Sequence, residues 1–321
     1  MALLSGVQER LTDRLGPIRA WLFPRQVYLQ LEDQAITAMA LEGSRIVWLE
    51  RVPLPPGLCE NGDPVRIDSL GDLIGDLFAQ RGFFGARVVA VLPAIASQMR
   101  LVQWPDGRWP EEPDRILGLN EAALGLRTVL PYLDLQLVDL PQAPPTSLVV
   151  TVPTATLERW IEIFSLAQVS LERMEAAQLC VCRGLLAVDG DPAGAALQAV
   201  LQLEPQECRL LVLENGLPAY ERRLPGAEQQ GALVEALGRW RQFWMALRPG
   251  APPVVRLALH GSALRDESQA EALAAACHAS WQILDPLAQG WLTDASPDEG
   301  LKPEGPALAA LWGLVATEVT A

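Results

Sequence analysis

The chain has 321 residues, half of them apolar, enough for roughly two domains or one two-lobed unit around a large buried core and too many for disorder to be the default. A formal net charge of -14 argues against a phosphate-backbone partner, because nucleic-acid binding rests on clustered Lys and Arg, but it leaves room for a protein partner with a basic segment. The five cysteines (Cys59, Cys180, Cys182, Cys208, Cys277) have no zinc spacing and read as small buried hydrophobes of a reducing compartment, and no apolar run approaches the roughly 18–20 residues needed to span a bilayer.

Residues 1–24 read as an amphipathic extension: Val7, Leu11, Leu15 and Ile18 share one helical face, and no cleavable signal pattern is present. The mixed charge of Glu9, Arg10, Asp13 and Arg14 suits packing on the protein better than a membrane surface. Apolar runs Val27–Leu31, Ala35–Leu41 and Arg45–Val52 follow, separated by Glu32-Asp33-Gln34 and Glu42-Gly43-Ser44, and predict a three-strand meander. After a Pro/Gly-rich loop (Pro53–Pro64), Leu70, Leu73, Ile74, Leu77 and Phe78 predict a helix opened by Asp68 or Ser69 and stopped at Gly82. Val88–Leu92 reads as a buried strand.

Residues 96–172 read as a small α+β block inserted in this first lobe. Its strands are predicted at Met99–Val102, Tyr132–Leu140 and Leu148–Val152, with helices at Asp114–Leu124 and from Thr154. Residues 173–195, with a helix at Ala176–Val188, return to the first lobe, which thus comprises 25–95 and 173–195. The second lobe, 196–321, begins with a second meander in which Gln202-Leu203-Glu204-Pro205-Gln206 nearly repeats Gln30-Leu31-Glu32-Asp33-Gln34. Helices at Gly231–Leu247, Asp266–His278 and Pro306–Val319 and strands at Val254–Leu259 and Trp281–Leu284 complete it, with Asp294–Gly305 read as a mobile loop.

Several short segments fall in one order along the chain: Leu54-Pro55-Pro56-Gly57, Val89-Ala90-Val91-Leu92-Pro93, Leu130-Pro131-Tyr132-Leu133-Asp134, Glu214-Asn215-Gly216 through Arg223, and Leu284-Asp285-Pro286. Together they resemble the PilM family, actin-like proteins of type IV pilus assembly. The resemblance implies a mixed α/β, duplicated actin-like (ribonuclease H-like) two-lobed ATPase fold with a small α+β subdomain inserted in the first lobe. In that family the two meander turns are phosphate loops, with an Asp that orders magnesium or water, a Gly that admits the phosphate to backbone N–H groups, and a Lys that supplies charge.

Here the pattern is lost. Gln30 stands in place of the Asp, Glu32 of the Gly and Thr37 of the Lys; Gln202 and Glu204 repeat the first two replacements. The adenine-side turn is His260-Gly261-Ser262, with one glycine kept. A carboxylate at roughly 5 Å from a phosphate charge costs on the order of 3 kcal/mol at an effective dielectric of about 20. With no glycine or cation foreseen in either turn, the ATP and magnesium of the family are expected to be lost, leaving no cofactor, no metal and no catalysis. A metal held by the two glutamates and a catalytic role for His260 both lack supporting neighbours in the sequence.

The family's other role is then what remains. The resemblance implies a cytoplasmic scaffold, peripheral at the inner membrane, that binds the N-terminal cytoplasmic segment of a PilN-like membrane protein, with other pilus assembly components and outputs such as twitching motility or natural competence in reach. The lips of the implied groove are Phe83 and Phe84 on one side and Arg100, Leu101 and Trp104 on the other. The alternatives are an active actin-like ATPase of the same machinery and a GspL-like or FtsA-like component.

Overall fold

The structure, a computed structural model, describes residues 25–104, 131–138, 145–189, 197–214, 216–247, 253–296 and 302–319. The amphipathic extension and the helix foreseen at Asp114–Leu124 lie outside the described residues. The described chain falls into two compact units.

The first unit holds the residues up to Ala96, Thr154–Glu175 and Asp294–Lys302. Its meander is β1 (Gln26–Leu31), β2 (Ala35–Glu42) and β3 (Arg45–Pro53), antiparallel, with Gln30 opposite Thr37 and Thr37 opposite Arg51. Gly43 supplies the positive φ (63°) that the β2–β3 turn requires. A small hairpin, β4 (Cys59–Glu60) and β5 (Asp63–Pro64), occupies the Pro/Gly-rich loop. It leads into α1 (Ile67–Gln80), which starts at Arg66 with no side-chain cap. Asp68, expected to open that helix, instead lies in its first turn, where a carboxylate favours the positive end of the helix dipole. Strand β6 (Arg87–Leu92) then runs parallel to β1.

Between β6 and the next helix of this unit the chain leaves for the second unit. There β7 (Gln98–Gln103), β8 (Pro131–Val138) and β9 (Thr146–Pro153) form a three-stranded antiparallel sheet in the order β7-β9-β8. On return, α2 (Thr154–Leu166) packs on α1, with Gly71 and Gly75 leaving room for Leu166 and Ala167. The expected block of 96–172 is therefore shorter: its last helix belongs to the first unit, because two glycines on α1 let it dock there. Strand β10 (Ser170–Ala176) completes the sheet at the β6 edge.

The second unit continues with α3 (Ala177–Asp189), β11 (Leu197–Gln202), β12 (Glu207–Glu214), β13 (Leu217–Pro225), α4 (Gln230–Leu247), β14 (Val254–His260), α5 (Glu267–Cys277) and β15 (Ser280–Ile283). A two-residue strand, β16 (Thr293–Asp294), then joins the β3 edge of the first sheet, and α6 (Ala309–Val319) closes the described chain. The stretch read as a mobile loop thus begins in a strand, and Lys302 Nζ reaches back to Asp294 at 2.9 Å.

The two large sheets have one plan. Apart from β16, the first runs β10-β6-β1-β2-β3 and the second β15-β14-β11-β12-β13. Helices match as well: α1 with α4, α2 with α5, α3 with α6, each at the same place between strands. Even register repeats, since Gln202 faces Arg209 and Arg209 faces Arg223, as Gln30 faces Thr37 and Thr37 faces Arg51. The foreseen duplication is therefore present strand for strand.

Helix α3, assigned by sequence to the first lobe, groups with the second unit, where it crosses α6. Gly184 of α3 and Gly313 of α6 make that crossing close enough that a Cβ on Gly313 would overlap the Cys180 carbonyl. Trp160, Trp240, Trp244 and Trp312 are buried, and all five cysteines are free and buried.

Candidate functional site

The two repeated turns sit where the meander strands end. In the first unit, β1 finishes at Leu31 and Glu32 N–H donates to the Ala35 carbonyl at 3.0 Å, closing the turn tightly. Gln30, 8 % exposed, donates Nε2 to Glu32 Oε1 at 2.6 Å, while its Oε1 is buried without a hydrogen-bond partner. Glu32 Oε2 takes Arg51 Nη1 at 2.7 Å. Thr37, buried on β2, lies between them in register and contributes no charge. Asp33 Oδ1 accepts from Gly62 N–H at 2.6 Å and from the Cys59 thiol, tying the turn to the β4–β5 hairpin.

The sequence reading found no cation here; the structure corrects this, because Arg51, two strands away from the turn, reaches the Glu32 carboxylate. A separation of nineteen positions hides that pair from any local motif. Adjacent on β3, Glu50 is held by Arg81 from the end of α1 and by Trp48 Nε1 at 3.1 Å. Partial burial pushes the Glu50 carboxyl up, but the Arg81 and Trp48 hydrogen bonds and the Arg81 charge together hold it below its ordinary value.

The second turn has the same internal bond. Gln202 Nε2 points to Glu204 Oε1 at 3.4 Å. Here the outside donor is Ser262, whose backbone N–H lies 3.4 Å from Glu204 Oε1 and whose hydroxyl bonds Glu204 Oε2. The turn is also clasped by backbone: Leu203 N–H donates to the His260 carbonyl at 2.7 Å and Ala263 N–H to the Leu203 carbonyl at 3.0 Å. Gly261 (φ 116°) and Gly226 lie so close that a Cβ on either would collide with the turn's own backbone. The adenine-side turn of the resemblance therefore touches the phosphate turn directly. His260 is buried, and burial pushes its pKa from 6.5 down to about 4, so it is a neutral wall residue at neutral pH. Arg209, buried beside Glu221 at 2.5 Å, serves its own strand pair rather than the turn.

Each turn presents a carboxylate where the resemblance implies a glycine, and that carboxylate is already bonded within its own unit, to the Gln30 amide and Arg51 in the first turn and to the Gln202 amide and Ser262 in the second. At the place of the metal-ordering Asp, Gln30 offers a buried orphan acceptor. Among the described residues no cluster of three His, Cys, Asp or Glu side chains has a metal-holding arrangement.

The residues expected to line a partner groove divide by exposure. Phe83 is interior: its ring stacks on Trp48 at 4.6 Å, and Arg25 sits 5.5 Å over it. Trp104 is interior as well, donating Nε1 to the buried Ser147 hydroxyl at 2.9 Å. Both are corrected from lip to core, because each ring is covered by its own unit. Phe84 (51 % exposed) and Arg100 are open to solvent, and Leu101 is half-buried.

Taken with the strand-for-strand duplication, this defines a mixed α/β chain with the two-lobed actin-like fold. In fold it resembles a chain of the PilM–PilN type IV pilus biogenesis complex, at 18% identity and a TM-score of 0.72, over 92% of this chain and 98% of that one. The ethanolamine utilization protein EutJ from Carboxydothermus hydrogenoformans follows with 10% identity and a TM-score of 0.50, over 91% and 89%. No protein-family model and no curated protein matches the sequence.

Proposed function

We propose that this chain is a non-catalytic docking protein of type IV pilus assembly, which joins the machine by binding the N-terminal cytoplasmic segment of a PilN-like membrane protein. The observation that carries the non-catalytic half is the state of the two turns: each holds a carboxylate bonded to donors of its own unit, which would repel a triphosphate. The partner half is supported by the fold, whose likeness to the PilM–PilN complex extends over 92% of the chain. A net charge of -14 favours a basic peptide through long-range attraction. Among the described residues no helix is long and apolar enough to cross a membrane.

Of the groove residues foreseen, Phe84 and Arg100 have the exposure a peptide contact needs. An aromatic side chain at the centre of such a contact carries a large share of its affinity. The test is fluorescence anisotropy with a labelled peptide of roughly a dozen residues from the candidate partner's N-terminus. Phe84→Ala is expected to weaken binding by about tenfold or more. Unchanged affinity in both Phe84→Ala and Arg100→Ala removes this assignment of the surface, and no binding to the wild type removes the partner.

A further inference from the structure

Both turns carry one device, and it recurs at matching positions of the duplicated fold. A Gln at the end of the first meander strand donates its amide to a Glu two residues later, at 2.6 Å in the first unit and 3.4 Å in the second. That Glu then takes a donor from a neighbouring element, the Arg51 guanidinium in one case and the Ser262 N–H and hydroxyl in the other. Arg51 on β3 is the direct register partner of Thr37 on β2, the residue that stands in the place of the resemblance's Lys. The positive charge beside this turn thus comes from β3, and the chain's own carboxylate binds it.

We propose that Glu32 is a built-in anion which occupies a latent oxyanion site formed by Arg51 and the Gln30 amide, and that Glu204 does the same for Ser262 and the Gln202 amide. The turns are held in their closed form by covalently tethered carboxylates, with no dissociable ligand. A tethered ligand is present at high effective concentration, so a free phosphate does not displace it. The ligand class that the emptied first site takes is a small polyvalent oxyanion, since its recognition group is a guanidinium with a planar fork of donors. This inference rests on the reading that the wild-type chain holds no nucleotide, and it goes further by naming what holds the turns instead.

The test removes the tethered anion and offers a free one. Glu32→Gly, Glu32→Gln and the double variant Glu32→Gly/Arg51→Ala are unfolded thermally in inorganic pyrophosphate and in sodium chloride of equal ionic strength. Glu32→Gln, isosteric and uncharged, serves if the glycine variant does not fold. The expected result is a Tm below wild type that pyrophosphate, and not chloride, raises by several degrees, with binding on the order of tenfold tighter than to wild type. Removing Arg51 as well abolishes the rise. A single variant that gains no more from pyrophosphate than from chloride overturns the proposal, as does a rise that survives loss of Arg51 or appears equally in the wild type. Magnesium-ATP is titrated into the wild type separately, so failure of the nucleotide-free reading and failure of the tethered-anion proposal give different patterns.

Discussion

Gly261→Ala probes how tightly the second turn is closed. At φ 116° an L side chain is strained wherever it stands, at a cost of about 1–3 kcal/mol. The new Cβ would also lie 2.8 Å from Leu203 N and 2.9 Å from its carbonyl carbon, and closer still to the carbonyl oxygen. Overpacking against rigid backbone costs a further ~1–3 kcal/mol. Relief by moving the turn would loosen the Leu203–His260 and Ala263–Leu203 hydrogen bonds, each contributing about 1 kcal/mol. Strain and overpacking together come to roughly 2–6 kcal/mol, a large fraction of a typical folding stability of about 5–15 kcal/mol. That corresponds to a Tm lower by about 4–15 °C. Gly57 is the control: its φ is 79° but no atom lies within 4 Å of the position a Cβ would take. Gly57→Ala therefore carries only the backbone cost of about 1–2 kcal/mol. Differential scanning calorimetry of both variants decides the matter. A Gly261→Ala loss no greater than that of Gly57→Ala would refute the close contact between the turn and Gly261.

Three further expectations concern the fold. Gly313→Ala should cost about 3 kcal/mol or more in urea unfolding, because its Cβ overlaps the Cys180 carbonyl, whereas Gly231→Ala, with open space around it, should be neutral or slightly stabilising. His260 has a folded pKa of about 4 against an ordinary 6.5, so the unfolded state binds more protons between those values and stability falls as pH drops through that window. The loss approaches about 3 kcal/mol near pH 4, and His260→Gln should remove that part of the slope; identical pH profiles for the two proteins would refute it. Burial pushes the Cys182, Cys208 and Cys277 thiols up to about 12, so Ellman's reagent should find all five cysteines unreactive in the native protein and reactive in denaturant.

The sequence carried the meanders, the buried strands β6 and β14 and the repeated turns, because apolar periodicity and turn residues are local signals. Strand β10 escaped it: Ser-Leu-Glu-Arg-Met-Glu-Ala is mostly polar, and at the sheet edge only Ala176 is fully buried. The β4–β5 hairpin was hidden in a Pro/Gly-rich loop, and α2 could not be placed without knowing that Gly71 and Gly75 face it. At the turns, the loss of the glycines was readable, but the partners of the replacements were not. Arg51 and Ser262 reach Glu32 and Glu204 only through strand pairing and chain return. The aromatic pair Phe83-Phe84 shows the same limit, one ring stacked inside on Trp48 and its neighbour turned to solvent.

Titration calorimetry of the wild-type chain with ATP and magnesium bears most directly on the idea that tethered carboxylates have replaced the nucleotide. The account predicts no saturable heat with ATP in the millimolar range. A one-to-one isotherm with micromolar affinity would contradict it.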